Sequence, residues 1–140
     1  MNPRDVRCVV LADRHQGLME GVRGMLETTF DAVVMVADAA SLIESVKRIR
    51  PTVAIVDLSM AQGNNLEWLK RLRSTCRPEL KLILLSVHDE PNICRSAMAA
   101  GADGFVLKRE IGTELLPAVD EVLAGRQFIS PHLITGKPTK

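Results

Sequence analysis

The chain has 140 residues, of which 46% are hydrophobic, so it is long enough for one domain with a substantial core and short for two. The 18 basic residues against 17 acidic ones give a net charge of +1, which argues against a nucleic-acid surface covering the whole domain. Aromatic residues make up only 3% and tyrosine is absent, so a base-stacking platform is poorly supplied.

The three cysteines, Cys8, Cys76 and Cys94, are far apart and lack the spacing of a metal or redox motif. We therefore expect reduced thiols in a cytoplasmic protein. The amino terminus has no signal pattern, and no apolar run approaches the ~18 residues that a membrane span needs. We expect no membrane partner.

Short apolar runs alternate with helical patterns along the chain. The apolar runs predict strands at 6–12, 32–37, 53–56, 81–86 and 104–107. The helical patterns lie at 15–29, 41–50, 66–77, 92–100 and 112–124. In the second of these, Ser41 is predicted to cap the helix, with Glu44 at the capping-box position.

Five strands alternating with five helices at short intervals indicate an α/β domain with a doubly wound parallel sheet and right-handed crossovers. We assign residues 1–125 to this domain. Residues 126–140 form a tail, which is either a short extra helix or the start of an interdomain linker.

The third strand contains only apolar residues, Val53-Ala54-Ile55-Val56, and ends at a carboxylate, Asp57. Such a run is typical of a central strand that helices cover on both faces. In open α/β sheets the ligand crevice lies outside the carboxyl ends of the strands, so Asp57 is predicted to lie in the site. The alternative is an aspartate that caps a turn.

Three other strands also end on residues that carry chemistry: Asp13 follows the first, Ser86 closes the fourth and Lys108 follows the fifth. With Asp57 they provide two acids, a hydroxyl and an ammonium at one edge. This set suits the handling of a phosphoryl group, with a carboxylate nucleophile, oxygen ligands for a hard cation and a positive charge. Taken singly, Ser86 is more often a turn residue and Lys108 a solvated charge.

From residue 6 to residue 125 the sequence resembles the receiver domain of two-component response regulators. The matching pieces are VVLAD at 9–13, VDLSM at 56–60, LLS at 84–86 and AGADGFVLK at 100–108. The stretch LADRHQGLMEGVRGML is similar to the opening of receivers in the NarL/FixJ group, which precede a LuxR-type helix-turn-helix. The resemblance implies a flavodoxin-like topology with strand order 2-1-3-4-5.

The resemblance also implies a role for each residue at the strand ends. Asp57 would be the phosphoacceptor, and Ser86 the switch hydroxyl that follows the phosphoryl group. Phe105 would be the aromatic switch that turns inward with it, and Lys108 would contact the phosphoryl group. The alternative for Phe105 is an ordinary core aromatic.

The metal site that the resemblance implies has one clear departure. Asp13, Asp57 and the backbone carbonyl of Ser59 would hold Mg²⁺, but Arg14 stands where the family has a second acid that is a direct ligand. The exchange removes a ligand and changes the local charge by two units, and two unit charges 4 Å apart interact by about 4 kcal/mol at an effective dielectric near 20. We therefore expect Mg²⁺ binding, and phosphorylation at Asp57, to be weak or lost.

These observations predict a signalling receiver that is not an enzyme beyond self-phosphorylation from a phosphodonor. Its partners would be a sensor histidine kinase or a small phosphodonor, and a second copy of itself. For self-association the helix at 112–124 offers an apolar stripe and charged flanks in Glu114, Asp120 and Glu121, although the sequence does not say which face dimerises. DNA would be bound only by an output module outside this chain. Two alternatives remain: a small phosphotransfer or phosphatase enzyme with an aspartate nucleophile, and a phosphorylation-independent pseudo-receiver in which Arg14 pairs with Asp57.

Overall fold

The computed structural model describes residues 7–60 and 65–135. Its strands are β1 (Cys8–Ala12), β2 (Ala32–Val36), β3 (Val53–Asp57), β4 (Lys81–Ser86), β5 (Gly104–Leu107) and β6 (Phe128–Ile129). Its α-helices are α1 (Gln16–Leu26), α2 (Ala39–Ile49), α3 (Asn65–Thr75), α4 (Pro91–Ala99), α5 (Ile111–Leu123) and α6 (Pro131–Thr135). Short 3₁₀ turns follow β3 at Leu58–Met60 and β5 at Lys108–Glu110.

The strands form one parallel sheet in the order β2-β1-β3-β4-β5-β6. The predicted α/β class and the order 2-1-3-4-5 are confirmed, and the sheet has one more strand than predicted. In β6, Phe128 lies opposite Gly104 and Ile129 opposite Phe105. Two residues are too few to give a periodic signal, which is why the sequence pattern did not predict this strand.

Helices cover both faces of the sheet, because the central strands alternate their side chains between two apolar layers. Val9 and Leu11 of β1 point into the layer under α1 and α5, while Val10 and Ala12 point into the layer under α2, α3 and α4. All residues of β1, β3 and β5 are buried. The apolar strands β1, β3 and β5 are thus covered on both faces, whereas the equally apolar β2 lies at the edge of the sheet and is only partly buried.

Helix α2 begins earlier than predicted. Asp38 is its N-cap, and the Asp38 carboxylate accepts a hydrogen bond of 2.8 Å from the backbone N–H of Ser41. The predicted capping box with Ser41 at the cap is therefore wrong, because Asp38 satisfies the free N–H groups from a position nearer the helix start. The helix ends at Arg50, whose backbone is left-handed with φ 55° and ψ 61°.

The apolar stripe of α5 is used within the domain. Leu115, Ala118, Val119 and Val122 are all fully buried under the sheet. These four side chains are therefore not available to a second copy, whereas Leu116 and Leu123 of the same stripe are only partly buried. Dimerisation through this helix stays a prediction. The sequence pattern locates an apolar stripe but cannot tell which partner covers it.

The tail packs on the domain through β6 and α6. Ser130, between these elements, is fully buried, and its N–H donates to the carbonyl of Phe105 at 3.0 Å. Its hydroxyl oxygen accepts from the Leu107 N–H at 3.0 Å and contacts the Glu114 carboxylate. Leu133 of α6 joins the core. A short extra helix is thus present, and the domain boundary at residue 125 stays a prediction.

Among the helices of the described ranges, none has the length and apolar character needed to cross a membrane.

Candidate functional site

Three charged residues meet at the carboxyl edge of the sheet. Asp57 is the last residue of β3, Asp13 follows β1 and Lys108 follows β5. Because parallel strands end at the same edge, residues far apart in sequence come together there. Both aspartates are buried, with exposures of 0% for Asp13 and 2% for Asp57. We call these three residues the acid–lysine cluster.

Lys108 bridges the two acids. Its Nζ lies 2.7 Å from Oδ2 of Asp13 and 3.2 Å from Oδ2 of Asp57, and its side chain is 12% exposed. Buried charges are costly unless they are paired, and one ammonium here compensates two carboxylates. The cluster keeps a formal charge of −1, which favours the binding of a cation.

The protonation of the pair follows from these contacts. Burial opposes ionisation of Asp13, but the nearby Lys108 ammonium and the hydrogen bond from the His15 N–H outweigh it, so the pKa of Asp13 lies below its ordinary value. Burial likewise opposes the charge on Lys108, but the hydrogen bonds and charges of Asp13 and Asp57 outweigh it and raise the pKa of Lys108. The Asp13–Lys108 pair is therefore charged at neutral pH.

Both oxygens of Asp57 accept hydrogen bonds from Ser59. The Ser59 N–H donates to Oδ1 at 3.1 Å, and the Ser59 hydroxyl donates to Oδ2 at 2.7 Å. The sequence predicts a role only for the backbone carbonyl of Ser59, so the contact of its hydroxyl with Asp57 is a further finding. The Asp-x-Ser spacing at a strand end is the signal that could have revealed it, because aspartate often accepts from the residue two positions on.

His15, and not Arg14, turns toward the acids. The His15 N–H donates to Oδ1 of Asp13 at 2.8 Å, and its Nδ1 lies 3.2 Å from the same oxygen. This turn leaves Arg14 exposed, without an ion pair or hydrogen bond in the described ranges. The alternative in which Arg14 pairs with Asp57 is therefore wrong, since Lys108 takes that place.

The donor atoms present suit a divalent cation. Potential ligand atoms of Asp13, His15 and Asp57 lie within 4.8 Å of one another. Oδ2 of Asp13 is buried and accepts no well-aligned hydrogen bond within the described ranges, although the Lys108 ammonium faces it. Carboxylate oxygens are the ligands that Mg²⁺ prefers. His15 was not among the predicted metal ligands, although the Asp-x-His spacing of residues 13 and 15 can be read from the sequence.

Ser86 lies on the strand beside Asp57, and Phe105 lies on the strand that leads to Lys108. Asp57 is opposite Leu85, so Ser86 is one residue further along β4, and it is 1% exposed. Its hydroxyl oxygen accepts from the His88 N–H at 2.9 Å, which ties it to its own loop. Phe105 is fully buried in the layer under α2, α3 and α4. The aromatic ring thus lies inside the core.

Comparison with known proteins gives a consistent result. Residues 9–120 match the model of the response regulator receiver domain. The chain is 35% identical over 136 residues to the probable transcriptional regulatory protein NarL of Mycobacterium tuberculosis, covering 96% of this chain and 62% of that protein. It is 31% identical over 127 residues to the transcriptional regulatory protein DegU of Brevibacillus brevis, covering 89% and 53%. The chain thus spans little more than half the length of these transcriptional regulatory proteins.

Solved structures agree. A LuxR-family two-component response regulator from Aurantimonas sp. SI85-9A1 superposes with a TM-score of 0.82 at 25% identity, covering 94% of each chain. The isolated receiver domain of RcsB from Salmonella enterica, in the presence of the phosphomimetic BeF₃⁻, superposes with a TM-score of 0.80 at 25% identity, covering 94% of this chain and 98% of that one.

Proposed function

The chain belongs to the family of response regulator receiver domains, and from that premise we propose that it is the receiver part of a cytoplasmic transcriptional regulator. The relatives NarL and DegU are transcriptional regulatory proteins that extend beyond the matched part. An output module that binds DNA would therefore lie outside these 140 residues. A sensor histidine kinase or a small phosphodonor would supply the signal.

Asp57 is the phosphoacceptor in this proposal. One carboxylate oxygen would form a bond to phosphorus while the bond from phosphorus to the donor breaks, giving an acyl phosphate. Lys108, already 3.2 Å from Oδ2 of Asp57, would compensate the negative charge of the phosphoryl group. The burial of Asp57 beside a single bridging ammonium is the observation that carries the proposal.

Mg²⁺ would be held by Asp13, Asp57 and the carbonyl of Ser59, with His15 as a further donor nearby. The ion would supply charge neutralisation for phosphoryl transfer. We infer that this site is weak, because Arg14 provides no ligand where the family has an acid. The Lys108 ammonium, 2.7 Å from Asp13, competes for the same oxygen.

Resting-state contacts also restrain the nucleophile. Oδ2 of Asp57 accepts from the Ser59 hydroxyl and faces Lys108, and Oδ1 accepts from the Ser59 N–H. An oxygen must leave one of these contacts before it can attack. This supports slow phosphorylation in addition to weak metal binding.

The switch would run from Ser86 and Phe105 to the tail. Ser86 is tied to its loop through the His88 N–H, and a phosphoryl group on Asp57 would compete for its hydroxyl. Phe105 is joined to the tail through the hydrogen bond from Ser130, and β6 pairs with its strand. A change at β5 would thereby reach residues 128–135 and any chain that follows them.

Homodimerisation is the proposed readout. One solved neighbour, with a TM-score of 0.76 at 26% identity, is a structure of two RcsB dimers bound to two parallel DNAs, so a relative with this fold binds DNA as a dimer. Sedimentation of this chain across a concentration series tests the idea. A strict monomer at the highest concentration, with and without phosphodonor, would remove dimerisation as the readout of this domain.

A pseudo-receiver that works without phosphorylation is the second candidate. It is favoured by the pairing of both buried acids with Lys108, which compensates one of their two negative charges without an added ion. The two candidates differ in whether Asp57 accepts a phosphoryl group at all.

Intact-mass measurement with a small phosphodonor and a Mg²⁺ series separates them. We expect slow incorporation of one phosphoryl group in the wild-type protein and none in Asp57→Asn. Arg14→Asp should restore the missing ligand and raise Mg²⁺ affinity about tenfold or more, in line with the charge estimate. The matched control is Arg48→Asp, which makes the same charge change at an exposed position of α2.

Three results would decide against the proposal. Equal Mg²⁺ affinity of wild type and Arg14→Asp by calorimetry would show that position 14 does not belong to the metal site. Equal gains in Mg²⁺ affinity in Arg14→Asp and Arg48→Asp would show that the gain comes from the net charge of the protein and not from a new ligand. No phosphorylation in either wild type or Arg14→Asp would favour the pseudo-receiver.

A further inference from the structure

A cavity of about 220 Å³ opens at the amino edge of the sheet, opposite the acid–lysine cluster. It lies between the carboxyl end of α2 and the segment from α3 to β4. Three cationic residues line it, Lys47, Arg50 and Arg77, and we call them the cavity cations. The apolar residues of its wall are Val46, Pro51 and Leu80.

The cavity cations are poorly compensated. Within the described ranges, the side chains of Lys47 and Arg50 have no hydrogen bond or ion pair. Arg77 reaches only Glu79, at 4.0 Å, with both side chains exposed. Of the residues that the structure describes, no acidic one lines the cavity. Like charges around a concave, partly apolar surface concentrate positive potential there, which attracts anions.

The backbone at Arg50 explains how this arginine comes to lie at the cavity. Its left-handed conformation, with φ 55°, is one that glycine adopts without strain and that helices commonly place just past their end. Positive charge near the carboxyl end of a helix interacts favourably with the helix dipole, and Lys47 and Arg48 already place two positive charges in the last turn of α2. The left-handed turn at Arg50 ends α2 and places this residue at the cavity wall, beside Lys47 of the last helical turn.

We propose that this cavity binds a small oxyanion with two or more negative charges, of the phosphate or dicarboxylate class. The guanidinium groups of Arg50 and Arg77 can each donate two parallel hydrogen bonds to such an anion, and Lys47 adds a third positive charge. The volume is below the roughly 300–1,000 Å³ of sites for drug-sized ligands, which favours a small ion. The site is separate from Asp57 and does not depend on its phosphorylation.

Backbone amide NMR titration of the chain with inorganic phosphate, at ionic strength held constant with sodium chloride, tests the proposal. We expect saturable shifts confined to residues 46–51 and 75–80. Arg50→Gly and Arg77→Gln should each weaken the apparent Kd about tenfold. Arg48→Gln is the matched control, because Arg48 lies on the same helix, is exposed and does not line the cavity. A parallel titration with succinate distinguishes dicarboxylate from phosphate recognition.

Arg50→Gly separates binding from folding, because glycine suits the left-handed backbone and the thermal midpoint should be kept or raised. Loss of binding at an unchanged midpoint supports the site. The proposal is overturned if neither anion gives saturable shifts at the cavity, or if Arg48→Gln weakens binding as much as Arg50→Gly. In the second case, the effect would be general screening of a basic surface.

Discussion

The two edges of the sheet hold their charges in opposite ways. At the carboxyl edge, the acid–lysine cluster is buried, and every charge has an oppositely charged neighbour within 3.2 Å. At the amino edge, the cavity cations are exposed and have at most one distant acidic neighbour. Buried charges must be compensated by the fold itself, whereas exposed ones are compensated by water and ions. Substitutions should therefore change stability at the first edge and anion binding at the second.

The largest expected effect is that of Lys108→Met. Methionine keeps most of the side-chain length but leaves Asp13 and Asp57 buried with no cation between them. Breaking a buried pair by removing one partner costs about 3 kcal/mol or more, so we expect a fall of that order in the free energy of unfolding, measured in urea at pH 7. Arg109→Gln is the control, because Arg109 pairs with Asp89 at 3.5 Å with both side chains about half exposed, and its loss should cost less than about 1 kcal/mol. Equal effects of the two substitutions would contradict the comparison.

The pH dependence of stability should come next in size. The pKa of Asp13 is lowered by folding, so its contribution is fully present above the ordinary aspartate value and is lost as pH falls through the folded value. The pKa of Lys108 is raised, so its contribution is present below the ordinary lysine value and is lost as pH rises through the folded value. Urea unfolding at a series of pH values measures the free energy of unfolding on both sides of neutral pH. We call its fall at low pH the acid limb.

Asp13→Asn removes the titrating group and should flatten the acid limb. Asp120→Asn, at an exposed position of α5, should leave that limb as steep as in the wild type. An acid limb that is unchanged in Asp13→Asn would mean that Asp13 does not gain its charge stabilisation from folding.

The sequence allowed much of the carboxyl edge to be predicted. Asp13, Asp57, Ser86 and Lys108 could be assigned to one edge because parallel strands end together, and the strand pattern was strong. The direction of the side chains around that edge could not be predicted. Which of Arg14 and His15 turns toward Asp13 depends on a two-residue turn, where a single backbone hydrogen bond decides the outcome.

The amino edge was largely invisible in the sequence. Lys47, Arg50 and Arg77 are ordinary surface residues in a linear reading, and residue 77 is separated from the other two by a strand and a helix. Only tertiary packing brings them around one cavity. For the same reason, β6 and the burial of Ser130 could not be predicted: two residues give no periodicity, and a serine in a tail gives no signal of burial.

A smaller effect of opposite sign is expected at Arg50. Arg50→Gly relieves the left-handed backbone but increases the freedom of the unfolded chain, so we expect a net gain of about 0.5 kcal/mol. Arg48→Gly, two residues earlier and inside α2, should instead lose about 0.5 to 1 kcal/mol because glycine disfavours a helix interior. Thermal and urea unfolding of the two variants provide the measurement. A loss in Arg50→Gly as large as in Arg48→Gly would mean that the arginine side chain supports the fold.

The smallest expected effect is that of Arg77→Gln. The Arg77 side chain has one weak neighbour, Glu79 at 4.0 Å, and exposed pairs of this kind contribute between zero and about 1 kcal/mol. We expect a change within about 0.5 kcal/mol in urea unfolding. Arg73 provides the contrast four residues earlier, because its guanidinium donates to the carbonyls of Leu80 at 2.8 Å and of Arg77 at 2.9 Å.

Arg73→Gln would leave those carbonyls without their charged donor and should cost about 2 kcal/mol, since one hydrogen bond to a charged group contributes about 1.5 to 3 kcal/mol. The bond to Leu80 is partly buried, whereas the bond to Arg77 is exposed and adds little. Arg77→Gln keeps its own main-chain carbonyl and therefore keeps the contact with Arg73. The two substitutions thus compare, within one segment, an arginine that supports the fold with an arginine that lines the cavity. If Arg77→Gln destabilised the fold as much as Arg73→Gln, the amino edge would also hold its charges through the fold, and weaker anion binding in that variant could no longer be assigned to a lost contact with the ligand.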